Sequence, residues 1–386
     1  MAVVGTGLIG TSIALAASRQ GVTVFLSDRN PVAARTAAAL GAGRVEAPAG
    51  PVDLAVLAVP PSHVGSVLVE LQRSELAHSY TDVASVKAGP EQAALTHAPD
   101  PSRYIGGHPL AGRERSGPLA ARGDLFQGRP WVLTPSPLTS DTTLRRAREL
   151  VALCGAVPVV TQSQVHDDAV ALTSHVPHLV ASLMAARLRE GPDGVSRFAG
   201  QGLRDVTRIA GGDSRLWGDI LQANAASIVG VVKDLHADLA RLVSALDALA
   251  EPESGERAGE RAQGMRTMVD LLDRGIAGLA EIPRQPGVAQ AEDPRVRVSV
   301  LDGPGELARL LEALVDFGVA ADDATVEDAG GAAGEGGGFT VRFTVPARVA
   351  ERMVAELAAE GWDAARENGA RAGRYEEGSA LPSVRT

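Results

Sequence analysis

The stretch Ala2-Val3-Val4-Gly5-Thr6-Gly7-Leu8-Ile9-Gly10 decides the fold. A short apolar run reads as a strand, and a helix rich in Ala, Ile and Leu follows at once. Between them lies G-x-G-x-x-G. Its first glycine permits a tight turn, its second a close approach by a pyrophosphate, and its third close helix–strand packing. The helix N-terminus adds free N–H groups and positive potential for phosphates. A lone match is weak. Here the strand–turn–helix context fits, and Asp28 closes the second apolar run 18 residues after Gly10. A carboxylate there takes ribose hydroxyls and repels a 2′-phosphate, so NAD is expected over NADP, with Arg29 leaving room for NADP. Gly5, Gly7, Leu8, Ile9, Gly10, Asp28 and Arg29 are the expected cofactor contacts. The alternative is a glycine-rich turn that binds nothing.

Outward from this motif the pattern alternates up to about residue 161. Apolar runs at Ala2–Val4, Val22–Leu26, Val52–Val59, Tyr80–Val83, Trp131–Leu133 and Val157–Val160 are separated by helix-like stretches. That predicts a Rossmann-type doubly wound α/β sheet, parallel with crossover helices, over residues 1–161. Residues 162–285 read as an all-α domain. Within it Trp217, Ile220, Asn224, Ile228, Val231, Leu235, Leu239, Leu242, Leu246 and Leu249 recur in steps of three and four. The spacing predicts one long helix with an apolar stripe, capped by Asp213 or Ser214. So long a stripe needs a partner, and a homodimer is expected. Residues 286–294 read as a linker, with the domain break near Pro294. Residues 295–368 follow the order βαββαβ, a small α+β domain, and residues 369–386 are expected to be a disordered tail.

At 386 residues the chain is too long for one compact core. Its net charge is −10, from 37 basic and 47 acidic residues. Residues 1–250 hold 22 of each sign, so the acidic excess lies wholly beyond them. Without a net basic stripe, nucleic acid is not an expected partner. No apolar run approaches the ~20 residues of a membrane span. With the glycine motif starting at Gly5, no secretory leader is expected, and a single cysteine, Cys154, excludes an internal disulfide. A cytoplasmic location is expected, and no His, Cys, Asp or Glu cluster has metal-ligand spacing.

Four further segments carry chemistry. Asp82-Val83-Ala84-Ser85-Val86-Lys87 sits at a strand's carboxyl end, where ligands bind open α/β sheets. Gly106-Gly107-His108-Pro109-Leu110-Ala111-Gly112, followed by Arg113-Glu114-Arg115, reads as a fixed loop presenting a histidine. On the next helix Asp167, Ala171, Ser174 and His178 share one face, and His175 points roughly 80° away. Pro177 frees a carbonyl one turn back. Finally, Arg204 and Arg208 lie one turn apart, before Asp213-Ser214-Arg215-Leu216-Trp217. Lys87 either serves the cofactor or is exposed. His63, His78, His97, His166 and His236 are given no role.

Together these motifs resemble the prephenate dehydrogenase family over about residues 1–282. The segment Asp302-Gly303-Pro304-Gly305 before a helix is similar to an ACT domain. The resemblance implies NAD-dependent oxidative decarboxylation of prephenate to 4-hydroxyphenylpyruvate in tyrosine biosynthesis. It implies His108 as the base on the 4-hydroxyl, with Ser85 hydrogen-bonded to His108 or to that hydroxyl. Arg208 then binds a substrate carboxylate, and His178 faces the substrate side chain. Glu114, Asp167 and Ser174 form a polar shell or gate, and Trp217 walls the pocket. Asp302 and Gly305 fall where regulatory ligands contact an ACT domain, tyrosine being the first candidate. The alternatives are arogenate as substrate, and a catalytically silent amino-acid sensor on the same scaffold.

Overall fold

The computed structural model describes residues 1–112, 116–192, 194–250, 257–282, 294–301, 303–315, 317, 319, 324–328, 338–345 and 347–367. The chain forms two compact units, residues 1–269 and 270–386. The second unit begins upstream of Pro294, where the sequence places the domain break.

Seven strands build the first sheet: β1 Ala2–Val4, β2 Phe25–Ser27, β3 Val52–Leu57, β4 Ala77–Asp82, β5 Tyr104–Pro109, β6 Pro130–Thr134 and β7 Val157–Val160. Their order is β2-β1-β3-β4-β5-β6-β7. The helices among them are α1 Leu8–Arg19, α2 Pro31–Ala39, α3 Pro61–Arg73, α4 Ala88–His97 and α5 Asp141–Leu153. Two apolar clusters pack this layer, one including Ile13, Leu26, Val56, Phe126, Trp131 and Leu150, the other Leu57, Val64, Leu68 and Tyr80. Strands covered on both faces read as continuous apolar runs, and Leu54–Leu57 is such a run.

Two features depart from the sequence expectation. The segment expected to be a loop around His108 is strand β5, parallel to β4. In addition, β5 and β6 are antiparallel, so the sheet is mixed. The glycines explain the first difference. A Cβ on Gly106 would lie 2.3 Å from the Thr134 hydroxyl, and one on Gly107 2.7 Å from the Asp82 carbonyl. They permit close packing of neighbouring strands, not a turn.

Helices follow: α6 Ser163–Val170, a π-helical turn Ala171–His175, α7 Val176–Glu190, α8 Gln201–Thr207, α9 Ser214–Ala223, α10 Ala225–Ala250 and α11 Ala258–Ala280, with short 3₁₀ turns at Val195–Phe198 and Arg208–Gly211. The π-turn changes the expected face. Pro177 has no N–H, and the N–H of Val176 reaches back to the Ala171 carbonyl, five residues away. The added residue leaves Ser174 exposed and buries His175 completely. The expected grouping of Ser174 with Asp167 and His178 is therefore corrected.

The run Ser163–Glu190 is also long and apolar enough, by length and composition, to cross a bilayer. That corrects the expectation that no apolar run approaches span length. Its buried Asp167 and His175 bond to other parts of the same unit, as a core helix would.

The expected single long helix breaks at Asn224. Its backbone leaves helical geometry (φ −113, ψ 21), and its side chain turns inward. Asp213 caps α9 by accepting from the N–H groups of Arg215 and Leu216, as the sequence suggests. Beyond the break α10 carries exposed Leu235, Leu239, Val243 and Leu246 along its outer face.

The second unit contains β8 Arg295–Leu301, α12 Glu306–Val315, β9 Ala324–Asp328, β10 Gly338–Thr344, α13 Ala347–Ala359 and β11 Asp363–Glu367. The strands form an antiparallel sheet in the order β11-β8-β10-β9. Val296, Val298 and Val300 alternate inward against Leu310, Leu314, Met353 and Leu357. Gly305 adopts φ +87 just before α12, a conformation that favours glycine. Asp302, most of the expected linker and the tail lie outside the described residues.

Candidate active site

The order of strands reverses around β1, so the carboxyl ends of β1 and β3 flank the crevice where such sheets take ligands. The glycine turn leaves β1 at this point. Gly5 has φ +98, and a Cβ there would meet the Ala58 carbonyl at 2.2 Å. A Cβ on Gly10 would meet the Gly5 carbonyl at 2.0 Å. Both are glycine for the packing of the turn itself. Gly7, the N-cap of α1, differs: a Cβ there meets nothing within 4 Å. It borders open space at a helix N-terminus without a side-chain cap, a cradle suited to a pyrophosphate. Leu8 and Ile9 open α1 beside it.

Asp28 follows β2 directly. One oxygen accepts from the Thr6 N–H at 2.6 Å and the Thr6 hydroxyl at 2.9 Å, and the other from the Asn30 N–H at 2.8 Å. The carboxylate is thereby tied to the glycine turn. Arg29 beside it is exposed.

At the carboxyl end of β4 a polar network lies buried. Lys87 is fully enclosed, pairing with Asp82 and donating to the Gly107 carbonyl at 2.6 Å. It is not exposed, which corrects one of the two sequence readings. Burial pulls the Lys87 ammonium below its ordinary range, opposed by Asp82. Tyr104 donates its hydroxyl to the second Asp82 oxygen at 2.6 Å.

His108 is the penultimate residue of β5, just above this network, half-buried. Its Nδ1 lies 2.8 Å from His166 Nε2, and His166 Nδ1 lies 2.7 Å from Asp167 Oδ1. The two rings meet edge to face at 5.1 Å. Asp167 also accepts from the N–H groups of Lys87 at 2.7 Å and Ala88 at 2.8 Å. Burial holds the His108 ring well below its ordinary pKa of 6.5, and the buried Lys87 ammonium adds to this. The ring is therefore neutral near pH 7, as a base must be.

A second group flanks the first. His178 stacks on Trp217, with centroids 3.5 Å apart and planes 9° from parallel. Gly212 makes room for the stack, since a Cβ there would meet Trp217 Nε1 at 2.4 Å. Burial lowers the pKa of His178, while its hydrogen bond to the Ile209 backbone raises it. That bond ties His178 to the turn Arg208–Gly211, which carries Arg208.

The structure thus unites His108 with Asp167, and His178 with Trp217. It does not join Ser85 to His108: Ser85 is half-buried and makes no hydrogen bond among the described residues. Ser174 faces outward, and Glu114 lies outside the described residues. Sequence reasoning missed His166, and it read His175 as a locally hydrogen-bonded ring without finding its burial. His175 Nδ1 sits 3.0 Å from Asn224 Nδ2, which also donates to the Asp167 carbonyl at 2.8 Å. The π-turn hid His175. The 58-residue separation from His108 hid His166.

Sheet order, glycine turn and a neutral histidine at the sheet's carboxyl edge define a dinucleotide-dependent oxidoreductase. The nucleotide-binding domain of prephenate dehydrogenase matches residues 13–160, and the dimerization domain of prephenate dehydrogenase matches residues 162–256. The probable prephenate dehydrogenase NovF of Streptomyces niveus is 41% identical over 364 residues, 94% of this chain and 98% of that one. The prephenate dehydrogenase of Bacillus subtilis is 29% identical over 304 residues, 74% of this chain and 81% of that one. The crystal structure of prephenate dehydrogenase from A. aeolicus, in complex with hydroxyphenyl propionate and NAD⁺, aligns with TM-score 0.58 and 25% identity. It covers 70% of this chain and 97% of that chain. The chain belongs to the prephenate dehydrogenase family.

The buried histidines set a pH dependence of stability. Burial brings His175 down to about 4 from 6.5. Between those values the unfolded chain binds protons that the folded chain does not. Stability from this ring is complete above pH 6.5 and is lost as pH falls toward 4. His175 alone accounts for up to about 2 kcal/mol between pH 7.5 and pH 5. Urea unfolding is expected to give a lower unfolding free energy at pH 5 than at pH 7.5. Equal values would contradict neutral burial of these rings.

Proposed function

We propose that the chain oxidises prephenate with NAD⁺, releasing carbon dioxide and 4-hydroxyphenylpyruvate, a step toward tyrosine. The observation that carries this reading is His108, held neutral at the sheet's carboxyl edge beside a dinucleotide turn. Gly5, Gly7, Leu8, Ile9 and Gly10 would hold the pyrophosphate, and Asp28 the adenosine ribose. NAD⁺ supplies the hydride acceptor.

The protein's part is to orient the substrate and handle one proton. His108 Nε2 accepts the proton of the 4-hydroxyl as hydride leaves the same carbon. Loss of carbon dioxide then restores the ring electrons and makes the product a phenol. Prephenate dianion and NAD⁺ give a product monoanion, carbon dioxide and NADH with no net proton. His108 therefore returns its proton to the phenolate oxygen. Arg208 binds a substrate carboxylate through its forked guanidinium. His178 faces the pyruvyl side chain, stacked on Trp217 as the pocket wall. Ser85 reaches the hydroxyl, and Glu114 belongs to the polar rim.

The same reading makes the chain a cytoplasmic homodimer. It pairs through the apolar face of α10, in the region that matches the family's dimerization domain. Exposed leucines in a row favour such a partner. A Leu239→Glu variant is expected to elute from size exclusion as a monomer while the wild type elutes as a dimer. A monomeric wild type would contradict the assignment. The C-terminal βαββαβ unit is proposed as an ACT-like regulatory domain, with Gly305 and Asp302 at its tyrosine site.

Initial rates with prephenate and arogenate, each with NAD⁺ and NADP⁺, test the whole reading. Prephenate with NAD⁺ is expected to be fastest, and His108→Ala to lower kcat by about 100-fold or more. Added tyrosine is expected to slow the wild type and not a chain ending before residue 295. Turnover of arogenate alone would replace the substrate, and an unaffected His108→Ala variant would remove the base.

A further inference from the structure

His166 has no role in the mechanism above, yet it stands between two groups that do. It is 3% exposed, and Asp167 beside it 2%. Its Nδ1 faces Asp167 Oδ1 at 2.7 Å, and its Nε2 faces His108 Nδ1 at 2.8 Å. An ionised carboxylate only accepts hydrogen bonds, so His166 Nδ1 carries a proton. In a neutral imidazole the other nitrogen is then an acceptor. His166 Nε2 therefore accepts, and His108 Nδ1 must donate. This leaves His108 Nε2 without a proton.

The remaining question is whether His166 is neutral. A doubly protonated His166 would donate from both nitrogens and reverse the tautomer of His108. Two features oppose it. Asp167 is already satisfied by the N–H groups of Lys87 and Ala88 at the N-terminus of α4, where helix potential is positive. The Lys87 ammonium is buried nearby. The other charged groups near Lys87 are Asp82, already paired with it, and Glu91.

We infer that His166 is a positioning residue, which together with Asp167 fixes His108 with its proton on Nδ1 and its Nε2 lone pair directed to the substrate hydroxyl. The inference deepens the reading of His108 as base and rests on it for its catalytic meaning. An unconstrained histidine favours the opposite tautomer, with the proton on Nε2. The Asp167–His166 pair thus overrides an intrinsic preference, the second-group role that orients a base in hydrolase triads.

The direct test is ¹⁵N NMR of the histidine rings in the full-length wild type at pH 7.5, with His108 assigned by comparison with His108→Gln. His108 is expected to carry its proton on Nδ1. A proton on Nε2 would overturn the inference. This result needs no substrate, so it stands even if prephenate is not turned over. Steady-state kinetics supply the second arm. His166→Phe removes the acceptor and is expected to lower kcat by about 100-fold, with KM for NAD⁺ unchanged. His166→Gln offers a side-chain oxygen to the His108 N–H and is expected to recover most of that loss. A His166→Phe enzyme with wild-type kcat would overturn the positioning role.

Discussion

The carboxylate of Asp167 is the point on which the first unit's geometry depends. It is buried, and a buried carboxylate without partners would cost several kcal/mol. Here it accepts from two backbone N–H groups at the start of α4 and from the His166 ring. The helix N-terminus that receives it has no side-chain cap of its own. One side chain thereby satisfies the end of a sheet-layer helix and fixes where α6 meets the sheet. Its backbone carbonyl accepts from Asn224, which draws in the junction of α9 and α10. The helical segment is thus registered on the sheet by hydrogen bonds whose partners lie 57 to 80 residues apart.

Beneath this junction, Asp82 and Lys87 form a second buried pair, completed by Tyr104 and the Gly107 carbonyl. Such a pair is retained only when most of its donors and acceptors are matched, and here the Gly107 carbonyl, Tyr104 and the Ala84 N–H supply partners. It fixes the backbone of Gly107, the residue before His108. The cation close behind also disfavours protonation of His108. Structural burial and catalytic neutrality come from the same arrangement.

The dinucleotide turn was legible because its chemistry is local. Gly5, Gly7 and Gly10 act within one turn, and Asp28 bonds to Thr6 in the same crevice. The α+β order of the second unit was legible from alternation, as at Val296, Val298 and Val300. Strand β5 was not, because Tyr104–Pro109 contains two glycines and a proline, residues that locally signal a turn. Only contact with Thr134 and Asp82 explains them. The exposed Ser174 and buried His175 were exchanged in the reading because a π-turn is invisible to a fixed helical period. His166 was passed over because its meaning lies in a partner on strand β5, far away in sequence. The acidic excess marked the region after residue 250 without describing its sheet.

The central claim is that hydride leaves the substrate carbon bearing the hydroxyl that His108 deprotonates. Incubation of the enzyme with NAD⁺ and prephenate deuterated at C4 tests it most directly, with mass spectrometry of the reduced cofactor. The account predicts one deuterium on each NADH formed. Unlabelled NADH, with the deuterium retained in the aromatic product or released to solvent, would contradict it.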